Sequence, residues 1–177
     1  INSQYRLVHR LDKETSGLLL IAKNLNYAKK ISFLFKQKEI TKFYIALCEG
    51  IPKNNVSQVK LEIKTKKLKI EDTLTNYEVI NKNKSISSIL FNPHTGKTHQ
   101  LRIVSKNLGC PIIGDTKYNV YSKYIKESLM LHAFALRFII NNKKFEFTSN
   151  LPDYFLNFAK KNNLKINKNL KNYLNSS

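Results

Sequence analysis

Strand-sized runs of apolar residues, joined by short polar turns, recur along most of this chain and restrict it to a sheet-based fold. Ser16-Gly17-Leu18-Leu19-Leu20-Ile21-Ala22-Lys23 reads as a strand buried on both faces and entered through a glycine turn. Lys42 to Glu49 reads as another, closed by Gly50 and Pro52, and Val59, Leu61 and Ile63 alternate with polar residues as in a half-exposed strand. Tyr77 to Val79 and Ile86 to Phe91 flank the polar turn Asn81 to Lys84. Leu129 to Ile140 and Phe145 to Thr148 form a hairpin across Asn141-Asn142. Three helices interrupt these strands. Asn24 or Asn26 caps the first, which runs to about Lys38 with Ala28, Ile31, Leu34 and Phe35 inward. Thr98 caps the second, from His99 to about Asn107 with Gly109 ending it, and Pro152 starts the third, through Lys161. Connections this short favour antiparallel neighbours, so the expected class is α+β: a large, mostly antiparallel sheet with flanking helices.

At 177 residues the chain suits one domain, expected over 1–160, followed by a basic Lys/Asn-rich tail over 161–177. Lys and Arg number 31 against 12 Asp and Glu, a formal charge of +19. An excess of this size points to a polyanionic partner. Only four of the basic residues are Arg, and lysine enrichment in a chain rich in Asn and Ile also follows drift toward AT-rich codons. The charge therefore supports nucleic acid without proving it. The longest apolar run, Leu18 to Ala22, is far below the roughly 18 residues that span a bilayer, and no segment has the parts of a signal peptide, so no membrane role is expected. Cys48 and Cys110 are far apart and form no CxxC, and His9, His94, His99 and His132 complete no zinc spacing. Buried free thiols in a reducing cytoplasm are the expectation.

The chemistry-bearing segment is His9-Arg10-Leu11-Asp12-Lys13-Glu14-Thr15-Ser16-Gly17. It sets a carboxylate between two cations beside a glycine turn at a strand mouth. An ionised carboxylate there can serve as nucleophile, general base or metal ligand, whereas an isolated loop Asp more often caps a turn or pairs with Lys.

His9-Arg10-Leu11-Asp12-x-x-Thr15-Ser16-Gly17-Leu18-Leu19-Leu20-x-Ala22-Lys23 resembles the signature of the RluA-type pseudouridine synthases. Lys42-Phe43-Tyr44-Ile45-Ala46-Leu47-x-x-Gly50 resembles the family's second motif. Gly96-Lys97-Thr98-His99-Gln100-Leu101-Arg102, with Gly109-x-Pro111-Ile112-x-Gly114-Asp115-x-x-Tyr118, resembles its third, and Leu129-x-Leu131-His132-Ala133 matches the strand that closes the active site. The resemblance implies the pseudouridine synthase fold with a central RNA-binding cleft, and a monomeric enzyme that isomerises uridine in structured RNA without cofactor or metal. The third motif is most similar to that of rRNA-modifying members, which implies large-subunit ribosomal RNA. It implies Asp12 as the catalytic carboxylate, attacking C1′ or abstracting the C2′ proton. Arg102 is implied as the ion-pair partner of Asp12, and a guanidinium suits that task because it offers bidentate donors and keeps its charge. Tyr44 would stack on the target base and handle the C5 proton, and Leu131 would press on the base from the other side. Arg10 would fill the space of a flipped nucleotide, and Lys13, Lys42, Lys97 and His99 are candidates for RNA contacts. Lys97 stands where the family usually has Arg, Val104 where it often has His, Asn119 where Gly often follows the Tyr, and Ser128 replaces a basic residue. Family domains open with strands and a Lys-Pro segment ahead of the Asp motif that nothing here matches, so an N-terminally incomplete catalytic domain is expected.

Two other readings compete. A catalytically incompetent RNA-binding fragment of such an enzyme accords with the missing opening strands and the basic tail. A carboxylate-dependent sugar hydrolase needs a second carboxylate at a suitable distance. Asp115 is the candidate, although Gly114-Asp115 reads better as a turn.

Overall fold

The computed structural model describes residues 4–64 and 68–166. Nine strands and three helices follow in order: β1 (Arg6–Leu7), β2 (Ser16–Gly17), β3 (Ile21–Ala22), α1 (Leu25–Gln37), β4 (Thr41–Glu49), β5 (Val56–Lys64) and β6 (Ile70–Lys82). Then come β7 (Ile86–Pro93), α2 (Gln100–Asn107), β8 (Leu131–Ile140), β9 (Lys143–Thr148) and α3 (Asp153–Lys161). Seven strands form one sheet in the order β2-β8-β4-β7-β6-β5, with β9 also paired to β8. All pairings in it are antiparallel except β2 with β8.

The central strands β4, β7 and β8 are mostly buried, in keeping with their apolar content. Edge strand β5 alternates, and its Lys60, Glu62 and Lys64 face water. The β8–β9 turn places Asn141 at φ 50° and Asn142 at φ 59°, the left-handed pair that a two-residue hairpin needs. Phe43, Phe91, Phe155, Ile112 and Met130 lie in the main core, which α3 covers through Phe155 and Phe158. A second cluster joins Ala28, Ile31 and Leu34 of α1 to Leu136, Phe138 and Ile140 at the far end of β8. Asn24 caps α1, its side chain accepting the Tyr27 N–H at 3.0 Å. Leu164 and Ile166 still pack against the main core, and the expected basic tail lies outside the described residues from 167 onward.

The expected doubly buried strand over 16–23 does not form. Ser16–Gly17 pairs in parallel with His132–Ala133, and the Leu18 N–H bonds to the Ala133 carbonyl at 2.9 Å before the chain leaves the sheet. Ile21–Ala22 then joins Arg6–Leu7 in a separate antiparallel ribbon, which leaves Leu19 and Ile21 exposed. Gly17 sits at φ +108°, and a Cβ there would lie 2.2 Å from the Ala133 carbonyl oxygen, so this close approach of β2 to β8 requires glycine. A bulge interrupts the other side of β8: Phe43 faces Ala135, Tyr44 faces Ala133, and Phe134 is the extra residue.

Gly17→Ala combines a strained φ with a clash against fixed backbone, so unfolding free energy should fall by about 3 kcal/mol or more. Urea denaturation measures this, and a wild-type midpoint would show that the β2–β8 joint tolerates a side chain.

Candidate active site

Three segments surround a cleft of about 630 Å³: the loop before β2, the α1–β4 connection, and the 93–102 segment leading into α2. Of the residues singled out in the sequence, Arg10, Asp12, Lys42, Tyr44, Lys97, His99, Arg102 and Leu131 all line it. Lys13 does not line it and is exposed.

Asp12 is half-buried on a tight turn, its carbonyl accepting the Thr15 N–H at 2.9 Å. The next residue, Ser16, fixes that turn to the core. Ser16 Oγ lies 2.9 Å from His132 Nδ1 and accepts from the Tyr154 hydroxyl at 3.0 Å, so one serine ties together β2, β8 and α3. Burial pushes the His132 imidazole down to about 4 and keeps it neutral. In the neutral ring the tautomer sets whether Nδ1 accepts the serine proton or donates to Oγ. On the entry side His9 stacks on Phe35 at 4.8 Å and accepts the Leu20 N–H through Nε2 at 2.8 Å. Burial, with the Lys42 charge, lowers its pKa as well.

Tyr44 is half-buried at the bulge, where the register shift re-aims β4. Desolvation, reinforced by the Asp12 carboxylate, pushes its phenol up to about 12, so it stays protonated at neutral pH. His99 initiates α2 from the left-handed region at φ 57° with no side-chain cap, so Thr98 does not cap this helix. That conformation leaves its ring free to meet Tyr118 at 3.1 Å through Nδ1, with Nε2 4.0 Å from Asp12. Burial lowers the His99 pKa despite Asp12, and the nearby Arg102 and Lys117 charges add to the effect.

Arg102 does not make the ion pair expected with Asp12. Its Nε and Nη2 donate to the two oxygens of Asp115 at 2.8 and 2.6 Å, and its Nη1 stands 3.8 Å from Glu14. The reason is burial. Asp115 has no exposed surface and is further held by the Lys117 and Tyr118 N–H groups at 2.9 Å each, so it presents a fixed fork to the guanidinium. Asp12 lies on a more open loop and acts on Arg102 only through space. Burial acts to raise the Asp115 pKa, but its hydrogen bonds and the Arg102 charge hold it down, and the bonds that Arg102 donates to Asp115 raise that of Arg102. The turn read at Gly114-Asp115 is present, but its carboxylate also orients the site's one buried guanidinium.

Sequence reasoning passed over Gln100. It is buried, and its Oε1 accepts from Thr95 Oγ1 at 2.8 Å and the Lys97 N–H at 3.1 Å. Its amide donates to Thr75 Oγ1 at 2.9 Å and the Leu74 carbonyl at 3.3 Å, so every valence is used and the loop is riveted to β6. Its place inside the third motif was the available signal. Among the described residues no cluster of His, Cys, Asp and Glu could hold a metal ion. No helix among them is long and apolar enough to cross a membrane.

Residues 2–107 match the RNA pseudouridylate synthase family. A "Ribosomal large subunit pseudouridine synthase C" from Rickettsia typhi is 41% identical over 172 residues, which is 86% of this chain and 55% of that protein. An uncharacterized RNA pseudouridine synthase of Zymomonas mobilis is 37% identical over 78% of this chain and 68% of its own length. The chain thus spans about half the length of the first of these relatives and two thirds of the second. Among solved structures, human RNA pseudouridylate synthase domain containing 4 superposes with a TM-score of 0.81 at 25% identity, covering 92% of this chain and 77% of that one. The expected α+β fold is the one these structures share.

Asp115→Asn leaves the buried Arg102 charge without its partner, so unfolding free energy should drop by about 3–5 kcal/mol. A change within the error of denaturation would show that Arg102 finds an equal partner elsewhere. A second expectation concerns pH. His132 binds its proton near 6.5 when unfolded and near 4 when folded, so its contribution is full above pH 6.5 and lost as pH falls to about 4. The loss amounts to about 3 kcal/mol and should be absent in His132→Gln. Parallel stability-versus-pH curves for the two proteins would contradict the assignment.

Proposed function

Because the chain belongs to the RNA pseudouridylate synthase family, we propose that it isomerises uridine to pseudouridine in structured RNA, most specifically in large-subunit ribosomal RNA. The observation that carries this reading is the convergence of Asp12, Tyr44, Arg102 and Leu131 on one cleft. In this reaction the N1–C1′ bond breaks, the base rotates, C5 bonds to C1′, C5 loses a proton and N1 gains one. Asp12 is the carboxylate, attacking C1′ or taking the C2′ proton, and its turn is anchored through Ser16 so that it meets the sugar in one geometry.

Tyr44 and Leu131 hold the base between them. A phenol that stays protonated at neutral pH serves first as a stacking surface and donor. It exchanges the C5 proton only after a base has taken its own. Arg102, oriented by Asp115, supplies positive potential beside Asp12 with the guanidinium edge that Asp115 leaves open. A uridine in folded RNA must leave its stack to reach Asp12, and Arg10, exposed and part of the cleft lining, would fill the gap. Lys42, Lys97 and His99 contact the RNA from within the cleft and Lys13 from outside it.

The competing reading, an RNA-binding fragment without catalysis, predicts salt-sensitive binding and no chemistry. Tritium release from large-subunit ribosomal RNA carrying C5-tritiated uridine separates the two. The wild-type chain should release tritium, and Asp12→Asn should release none above background while keeping most of its RNA affinity. Release by Asp12→Asn would remove Asp12 from the catalytic role, and no release by the wild type would favour the fragment.

A further inference from the structure

The two walls of the cleft carry opposite charge. The start of β6 contributes Glu71 and Asp72, and the loop that Gln100 rivets to it contributes Lys97. Glu71 pairs with Lys97 at 2.7 Å, so the one lysine on this side is neutralised. Facing them, the end of α1 and the start of β4 contribute Lys36, Lys38 and Lys42. Among the described residues none of these three has a carboxylate within ion-pair distance.

These lysines line the same cleft. The Lys38 charge acts on Lys42, and the Lys42 charge acts on His9, which is stacked on Phe35 in the last turns of α1. Cations in the last turn of a helix complement its dipole, which accounts for Lys36 but not for a half-buried lysine on a strand. Lys42 loses hydration and meets a like charge, both of which lower its pKa. Such a site is unfavourable until an anion occupies it. Lys38 is held in place by backbone, at φ 62° with its N–H on the Leu34 and Phe35 carbonyls.

Resting on the RNA-modifying reading above, we propose that Lys36, Lys38 and Lys42 form a phosphate subsite that holds the backbone of a single RNA strand along the α1 wall. Asp72, which has no cation within ion-pair distance among the described residues, repels phosphates, and both carboxylates accept from base N–H edges, so the strand lies with its bases toward β6. The cleft thereby fixes which way round the strand lies as well as where the target uridine enters.

Binding of a single-stranded oligouridylate across a salt series tests this. Each phosphate contact on a single strand contributes about 0.7 to the slope of log affinity against log salt, so Lys36→Gln/Lys38→Asn should flatten it by about 1.4. Asparagine is chosen at 38 because it tolerates the left-handed backbone. Lys143→Gln/Lys144→Gln removes the same charge from β9, outside the cleft, and should keep the wild-type slope. An unchanged slope in the first variant, or equal flattening in both, overturns the subsite. Tritium release is read on the same wild-type preparation. Release with an unchanged slope sinks the subsite and leaves the isomerase reading standing. Flattening confined to the cleft variant, without release, does the reverse.

Discussion

The contact between Gly17 and Ala133 is the joint on which the site depends. Two residues of parallel pairing bring the loop that carries Asp12 against β8, a largely buried strand, and no side chain fits at Gly17. The hydrogen bonds follow from that approach. Once β2 lies on β8, Ser16 reaches His132 and Tyr154, and the Asp12 turn has a fixed base. On the opposite side of β8 the extra residue Phe134 shifts the register beside Tyr44. Strand β8 thus sets the geometry on both of its edges, and its Leu131 forms part of the cleft lining.

Charge in the cleft is organised by burial more than by number. Arg102 is kept ionic in a nearly sealed position because Asp115, itself satisfied by two backbone N–H groups, matches its fork. A cation so held cannot drift toward Asp12 when substrate is absent, which leaves Asp12 unencumbered by a direct salt bridge. His99 and His132 are both driven toward the neutral form by desolvation, so neither adds a competing positive charge near pH 7. Positive charge in the cleft therefore comes from particular residues, Arg10 and the α1-wall lysines among them, and not from every basic residue in the motifs, since Lys97 is paired with Glu71.

Much of the architecture was legible in sequence because the strands and helices announce themselves locally. Alternation placed β5, the Asn-Asn turn placed the β8–β9 hairpin, and Asn24 and Gly109 marked helix ends. The run Leu18 to Ile21 misled because apolar content alone cannot distinguish a central strand from a segment that leaves the sheet. The partners decide that: Ser16–Gly17 pairs with His132–Ala133, which is remote in the chain, and Ile21–Ala22 pairs with Arg6–Leu7. The capping role expected of Thr98 failed for a similar reason: His99 takes a left-handed conformation and is oriented toward Tyr118 by tertiary contact.

The sequence by itself determined the sheet-rich class, the Asp12 motif and its resemblance, and a set of candidate residues nearly all of which meet in one cleft. These are properties of local pattern and residue chemistry, which a linear reading contains. Only the tertiary structure decided which charges pair. Arg102 joins Asp115 and Lys97 joins Glu71, whereas Lys36, Lys38 and Lys42 keep their charge without a carboxylate partner among the described residues. Coulombic and hydrogen-bond partners are chosen by distance and desolvation in space, and neither quantity exists along the chain.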